Sequence, residues 1–547
     1  MIEGIIKLPF DIPLLPVKSF KAGEINCLYE NGNLRQISFC SEEIVQMIYP
    51  AVRGTNWETA LSEIADEKIN SYEKSFEISY TAIFRLNQIH YKSRITIIGK
   101  EDNSISFAML GEALGKFETR RIGLCVHHPI KECKGKTVTI TRPDKTSYTA
   151  TYPYYVSPHQ PFIDVQQMCW TNNQNQAIRL LFEGDVFETE DQRNWTDNSY
   201  KTYSTPLDRP SPVLVEKGAK LEQRVALRIT KQEKPVNKIS GSKIEMEEEK
   251  IPFPKIGYSR ITGIKPLTNT EIDGLKNVPF DHYRVELLMP SLQWEEQLQV
   301  AISEAEKLNT SLELIAFFSN SAETEINQLV QQLIKYESRI NSLLPLHIDH
   351  DITPVILIQS LYSRFKEVLP ALKIGYGTNS FFAELNRNRP PSADFDFISF
   401  GFNPQVHATD TRTIIENLES QQQILESIRQ FTSKPVHLSP VTFQQRTEAG
   451  KDPRLQTYFG AAWTLMSIKN LSIAGSITLY QTTGNRGIVA NTVTATDNVS
   501  PLYEVLTQLK EFQPVYVVLN KNKDEIIFEN KAGKRLTYSV RPGFTEI

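Results

Sequence analysis

Four loops in the carboxyl-terminal half concentrate the residue types that move protons and bind hydroxyl groups. The first, residues 378–390 (TNSFFAELNRNRP), holds one carboxylate, Glu384, among Arg387, Arg389 and several amides. An acid in that setting either works as a general acid or base or is held as the salt-bridge partner of its arginines. The second, residues 403–410 (NPQVHATD), brings His407, whose ordinary pKa suits proton transfer near neutral pH. It also brings Asp410, which either orients His407 or caps a helix beginning at Thr411. Residues 437–440 (HLSP) and 480–487 (YQTTGNRG) complete the set. Amides, guanidinium groups, hydroxyls and one or two acids are what a polyhydroxylated ligand needs, because each hydroxyl taken out of water requires a donor and an acceptor in return.

Other chemistries fit less well. His347, Asp349, His350 and Asp351 are metal-ligating types, but alternate residues leaving a strand point in opposite directions, so no metal is expected there. The Gly375/Gly377 and Gly484/Gly487 pairs have neither the spacing nor the lysine of a phosphate loop, nor a dinucleotide fingerprint. A Gly-x-Ser-x-Gly elbow is absent, which disfavours the common serine hydrolases. Residues 183–203 (EGDVFETEDQRNWTDNSYKTY) form the densest polar run, with six acids beside Arg193, Trp195 and Lys201. They read either as a polar seam between domains or as a functional loop reaching a barrel mouth.

The loops need elements to hold them. From about residue 255 the apolar runs 285–289, 312–318, 343–348, 372–376, 395–402, 435–438 and 476–480 suit buried strands and alternate with amphipathic stretches. Leu298, Ala301, Ile302, Ala305 and Leu308 share one helical face, as do Ile326, Leu329, Val330 and Leu333, and Ile414, Leu418, Leu425 and Ile428. This alternation predicts a parallel sheet covered by helices, with a TIM-like (β/α)8 barrel over 255–513 the best fit and an open doubly wound sheet the alternative, since seven strands are legible. Active sites of such barrels form at the carboxyl ends of the strands, where the four loops fall. Residues 1–235 mix β-branched and aromatic runs (75–84, 91–98, 136–140, 147–152) with turn residues, predicting a β-sandwich. One helix is expected at 41–49, with Ser41 as its cap. Residues 231–250 read as a linker, and residues 514–547 as a three-stranded meander on the sandwich or the barrel.

The composition sets the background. At 547 residues the chain should hold two to four domains. It is 40% hydrophobic and carries 60 Lys+Arg against 64 Asp+Glu without blocks of one sign. Nucleic acid and anionic lipid are therefore not expected partners. No run approaches the ~20 apolar residues of a spanning helix. Residues 1–16 have Lys7 as their one basic side chain and are broken by Pro9 and Pro13, so no secretory leader is expected. Five cysteines without a C-x-x-C pair suggest reduced thiols in a cytoplasmic protein.

Six segments taken together resemble the D-apionate lactonase family of branched-pentose catabolism: 48–57 (IYPAVRGTNW), 123–129 (GLCVHHP), 183–203, 377–390 (GTNSFFAELNRNRP), 403–407 (NPQVH) and 459–463 (FGAAW). The resemblance implies hydrolysis of D-apionolactone, a small-molecule sugar lactone, with no cofactor. Base-activated water would attack the ring carbonyl, and an acid would protonate the departing ring oxygen. Glu384 and His407 are the expected base and acid, in either order. Asn379, Asn386, Arg389, Asn403, Gln481 and Arg486 would bind hydroxyls or, for the arginines, the product carboxylate. One departure stands out: the family pattern Glu-Thr-Thr-Gly-Trp-Arg-Gly is matched here with Gln481 for the acid and Asn485 for the tryptophan. A charge needed at that position would be missing, with altered substrate or reduced activity as the consequence. A glycoside hydrolase-like enzyme is the runner-up, lowered by the need for two facing carboxylates. A non-catalytic carbohydrate-binding protein is the third reading.

Overall fold

The computed structural model describes residues 4–231, 248–391, 394–446, 450–484, 486–489 and 499–540. Most of the expected linker, residues 232–247, and Asn485 therefore lie outside the described residues. The chain forms two compact units, one of Leu14–Arg193 with Asn198–Ser242, the other of Met1–Pro13, Asn194–Asp197 and Lys243–Ile547.

The first unit is a β-sandwich. An eight-stranded and a nine-stranded antiparallel sheet share one apolar core, with Leu34, Ile37, Val45 and Leu124 from one sheet against Ile78, Ile95, Phe107 and Leu180 from the other. The strand Ile89–Lys100 alternates strictly between buried and outward residues, the period that makes a half-buried strand. The expected helix at 41–49 is a strand instead, Glu42–Arg53. Cys40 and Ser41, at φ 49° and 66°, form a two-residue turn between Phe39 and Glu42. Two left-handed residues in succession match strand twist, and Ile44, Val45 and Ile48 favour the pleat, so the local capping signal at Ser41 is overridden.

The second unit is built on a closed barrel of eight parallel strands: β1 (Lys255–Ser259), β2 (His282–Leu288), β3 (Ser311–Phe318), β4 (Ile340–His347), β5 (Lys373–Gly377), β6 (Phe397–Phe402), β7 (Val436–Val441) and β8 (Gly475–Leu479). Pairing of β1 with β8 closes it and removes the open-sheet alternative. Seven of these strands follow the apolar runs; β1 does not stand out, being only KIGYS. Its glycine has a packing reason. A Cβ on Gly257 would lie 2.2 Å from Nε2 of the buried His282 ring. Gly257→Ala is therefore expected to destabilise the protein by about 1–3 kcal/mol, the usual cost of overpacking; an unchanged denaturation midpoint would show that the ring moves freely.

The helix Trp294–Leu308 buries the five residues of its predicted face. The face through Ile414 and Ile428 is also buried, but its helix is divided into Thr411–Glu416 and Ser420–Ile428 by a 3-10 turn. Pro514–Leu519, Glu525–Asn530 and Arg535–Ser539 form the meander, which Gly4–Lys7 and Glu249–Pro252 extend to five strands. This sheet belongs to the barrel's unit, where Lys469 of the helix Tyr458–Leu471 donates to the Glu525 carbonyl at 2.6 Å.

Candidate active site

A column of polar side chains runs inside the barrel towards the carboxyl ends of its strands. Glu313 of β3 accepts from the Ser439 hydroxyl of β7 and lies 3.4 Å from His437 Nδ1. Ser439 Oγ accepts from Arg284 Nε of β2 at 2.9 Å. Arg284 in turn meets Glu286 Oε1 at 2.8 Å and donates to the Asn379 side-chain carbonyl just beyond β5. Asn379 Nδ2 donates to Glu286 at 3.1 Å, and Arg446, beyond β7, binds both Glu286 (2.5 Å) and Asn379 Oδ1 (2.9 Å). Burial alone would raise the Glu286 carboxyl pKa, but the Arg284 and Arg446 charges outweigh it and bring it to about 2. Glu286 is thus an ionised anchor for two guanidinium groups.

The residues expected to transfer protons, Glu384 and His407, sit on the loops after β5 and β6. His407 Nδ1 is hydrogen-bonded to the Asp197 carboxylate, whose other oxygen accepts from Asn417 Nδ2 at 2.9 Å. Asp197 reaches this place because Asn194–Asp197, though interior to the sandwich's stretch of sequence, is part of the barrel's unit. The segment is pinned by Thr196 Oγ1 donating to the Asn403 carbonyl, Ser420 Oγ donating to the Thr196 carbonyl at 2.7 Å, and Asn386 Nδ2 donating to Asn194 Oδ1 at 3.0 Å. Trp195 joins the two loops, edge-on to Phe381 (5.7 Å between centroids) and to His407 (6.2 Å), with the Arg387 guanidinium 5.3 Å from its centroid. With Nδ1–H given to Asp197, the lone pair of His407 lies on Nε2, the arrangement of a general base.

Glu384 lies in the first turn of the helix Phe382–Arg387. Its carboxylate has no hydrogen-bond partner among the described residues, and burial, partly offset by Arg387, raises its pKa. The salt-bridge reading of Glu384 thus has a charge nearby but no ion pair. Asp410 caps the helix Thr411–Glu416 through the Thr413 amide at 3.0 Å.

The expected ligand-binding residues divide. Asn379 faces the charged column, and Gln481 follows β8 half-buried. Asn386 is buried against Asn194, and Arg389 stacks 4.9 Å over Phe431 while donating to Asn386. The buried Asn403 side chain donates to Thr442 Oγ1 at 2.9 Å and accepts from the Gln405 amide at 2.6 Å. Arg486 donates to the carbonyls of Gln445, Arg446 and Gly450. His347 and His350 form a bridge and an aromatic pair, and no cluster of three or more metal-ligating side chains is found among the described residues. Arg284, Glu286, Arg446 and Asp197 escaped sequence reasoning. Arg284 and Glu286 had a signal, since charged residues two apart in an otherwise apolar barrel strand share its interior face.

Comparison with known proteins follows the same division of the chain. Residues 10–232 match the family described as D-apionate lactonase, N-terminal domain, and residues 262–514 its TIM barrel domain. The D-apionate lactonase of Brucella anthropi is 26% identical over 506 residues, covering 86% of this chain and 83% of that protein. Among solved structures, a family 39 glycoside hydrolase from Bacteroides cellulosilyticus WH2 superposes with a TM-score of 0.36 at 11% identity, over 78% of this chain and 87% of that one. An endo-beta-1,4-mannanase from Thermotoga petrophila gives 0.34 at 12% identity, over 51% and 84%. With both of its large domains matched in order, the chain belongs to the D-apionate lactonase family.

Proposed function

We propose that this protein opens a sugar lactone by hydrolysis, with D-apionolactone as the substrate. The observation that carries the reading is the Asp197–His407 pair at the end of β6; the family relationship supplies the substrate class. His407 Nε2 takes a proton from water as the water oxygen attacks the ring carbonyl carbon. The C–O bond to the ring oxygen then breaks, and that oxygen receives the proton of the Glu384 carboxyl. The product acid ionises, so each turnover releases one proton to solvent. Both proton-transfer roles fall to groups whose surroundings favour them: Asp197 orients the base, and burial favours the protonated form of Glu384. Glu286, a further carboxylate near the site, is engaged by Arg284, Arg446 and Asn379, which makes it a support rather than the second acid of a glycosidase.

The test is proton release from purified D-apionolactone in weak buffer, with other aldonolactones and nitrophenyl glycosides alongside. Acid release from D-apionolactone is expected; cleavage of glycosides alone would replace the reaction. Glu384→Gln should lower kcat by about 10²–10⁴-fold, the usual contribution of a positioned acid. A raised carboxyl pKa leaves the acid protonated at low pH and lost as pH rises, so the variant should also lose the alkaline fall of the wild-type profile. Unchanged kcat and profile would remove Glu384 from the mechanism.

A further inference from the structure

We infer that Arg446 binds the carboxylate of the hydrolysis product, an aldonate, a role that rests on the lactonase reading but concerns a group to which neither composition nor spacing drew attention. Arg446 is the outermost charge of the column Glu313, Arg284, Glu286, Arg446, in which the signs alternate from the barrel interior to the loop beyond β7. Its guanidinium is fixed from several directions. Glu286 and Asn379 Oδ1 each hold one terminal nitrogen, and Cζ lies over the Tyr480 ring, 5.5 Å from its centroid. Arg486 grips the main chain of the same loop through the carbonyls of Gln445 (2.9 Å) and Arg446 (3.3 Å). Of the five N–H donors of an arginine, two are thereby used, leaving three without a hydrogen-bond partner among the described residues. An arginine side chain only about a quarter exposed (26%), held rigid and still carrying donors, is suited to a planar anion.

The loop bearing Arg446 is tied to the loop bearing His407. Gln445 Nε2 donates to the carbonyls of Gln405 (3.1 Å) and Val406 (3.3 Å), and Gln405 Nε2 donates to the Phe443 carbonyl at 2.7 Å. A shallow depression lies beside them, with Phe443, Gln444, Asp452, Leu455, Tyr480 and Arg486 in its wall. Asp452 is neutralised by Arg454 at 2.6 Å, so it does not oppose an anion. The other arginines expected to take the carboxylate are otherwise occupied: Arg486 donates to main-chain carbonyls and Arg389 covers Phe431. Arg486 therefore acts through Arg446, as a positioning residue.

The experiment is calorimetric titration of the full chain at neutral pH with D-apionate, made by alkaline opening of the lactone, with erythronate and glycerate, and with the neutral polyol of the apionate skeleton. Arg446→Gln is expected to weaken carboxylate binding about 10- to 100-fold while leaving polyol binding unchanged, the size of a lost charge-assisted contact. Arg446→Lys should recover part of the loss, with melting temperatures confirming that both variants fold. Carboxylate affinity unchanged in Arg446→Gln, an equal loss for the polyol, or no carboxylate binding by the wild-type protein would each overturn the assignment. Turnover is scored separately. Arg446-dependent carboxylate binding without lactone turnover sinks the reaction and keeps the site, whereas turnover with Arg446-independent binding does the reverse.

Discussion

Asp197→Asn should lower kcat for lactone opening by about 10³–10⁴-fold while leaving the unfolding temperature nearly unchanged, as loss of the orienting carboxylate does in histidine-based hydrolytic sites. The carboxylate accepts on both oxygens, from His407 Nδ1 and from Asn417 Nδ2. An asparagine keeps the shape and can retain the Asn417 contact with its carbonyl oxygen, so packing survives. Its amide N–H₂, however, faces Nδ1 with a donor. The ring must then carry its proton on Nε2, the atom that has to accept a proton from water, and the base is lost without loss of the side chain. His407→Gln should fall to a similar rate, and the double variant should be scarcely worse than either single one, because residues acting as a unit are not additive. Turnover above a tenth of wild type in Asp197→Asn would dismiss the pair from the reaction.

Asp197 also shows where sequence reasoning stops. Its partner is 210 residues away, and no local pattern carries that distance; the run 183–203 announced itself only as unusually polar. Within it, Phe187–Asp191 and Ser199–Tyr203 are paired strands of the sandwich, while the four residues Asn194–Asp197 belong to the barrel's unit. The barrel was legible because its strands are apolar on both faces, as in Phe397–Phe402, which is buried throughout. β1 was not, because its interior position is filled by His282 rather than by its own side chain. The helix expected at 41–49 failed for a different reason: a capping residue is a weak local preference, and a paired, β-branched strand overrode it. Glu384 and His407 were visible as isolated proton-transfer types in strand-end loops. Arg446 was not, because an arginine in a polar loop looks like any solvated one until Glu286, Asn379 and Tyr480 are seen around it.

The charged column makes a second large effect predictable, on stability. Glu313 is fully buried and accepts from Ser439 Oγ and, at 3.5 Å, from Thr478 Oγ1, with His437 Nδ1 at 3.4 Å and His282 Nε2 at 3.9 Å close by. Burial would raise its pKa, but the neighbouring His437 and His282 and the Ser439 hydroxyl prevail and bring it to about 2, well below the ordinary glutamate value. Glu313→Ala leaves those donors facing a cavity and removes the acceptor that orders Ser439 beneath Arg284. Breaking a buried charged network by removing one partner costs about 3–5 kcal/mol. Denaturant unfolding followed by a probe in the barrel's unit should report a loss of that size, and a loss under 1 kcal/mol would mean that the donors find water instead. The pH dependence has a fixed sign. A carboxyl whose folded pKa is depressed binds its proton more readily in the unfolded chain, so its stabilisation is complete above about pH 4.5 and disappears as pH falls towards 2. Glu313→Gln should flatten that part of the stability curve, and an equally steep acid loss in the variant would assign the titration to other carboxylates, Glu286 first among them.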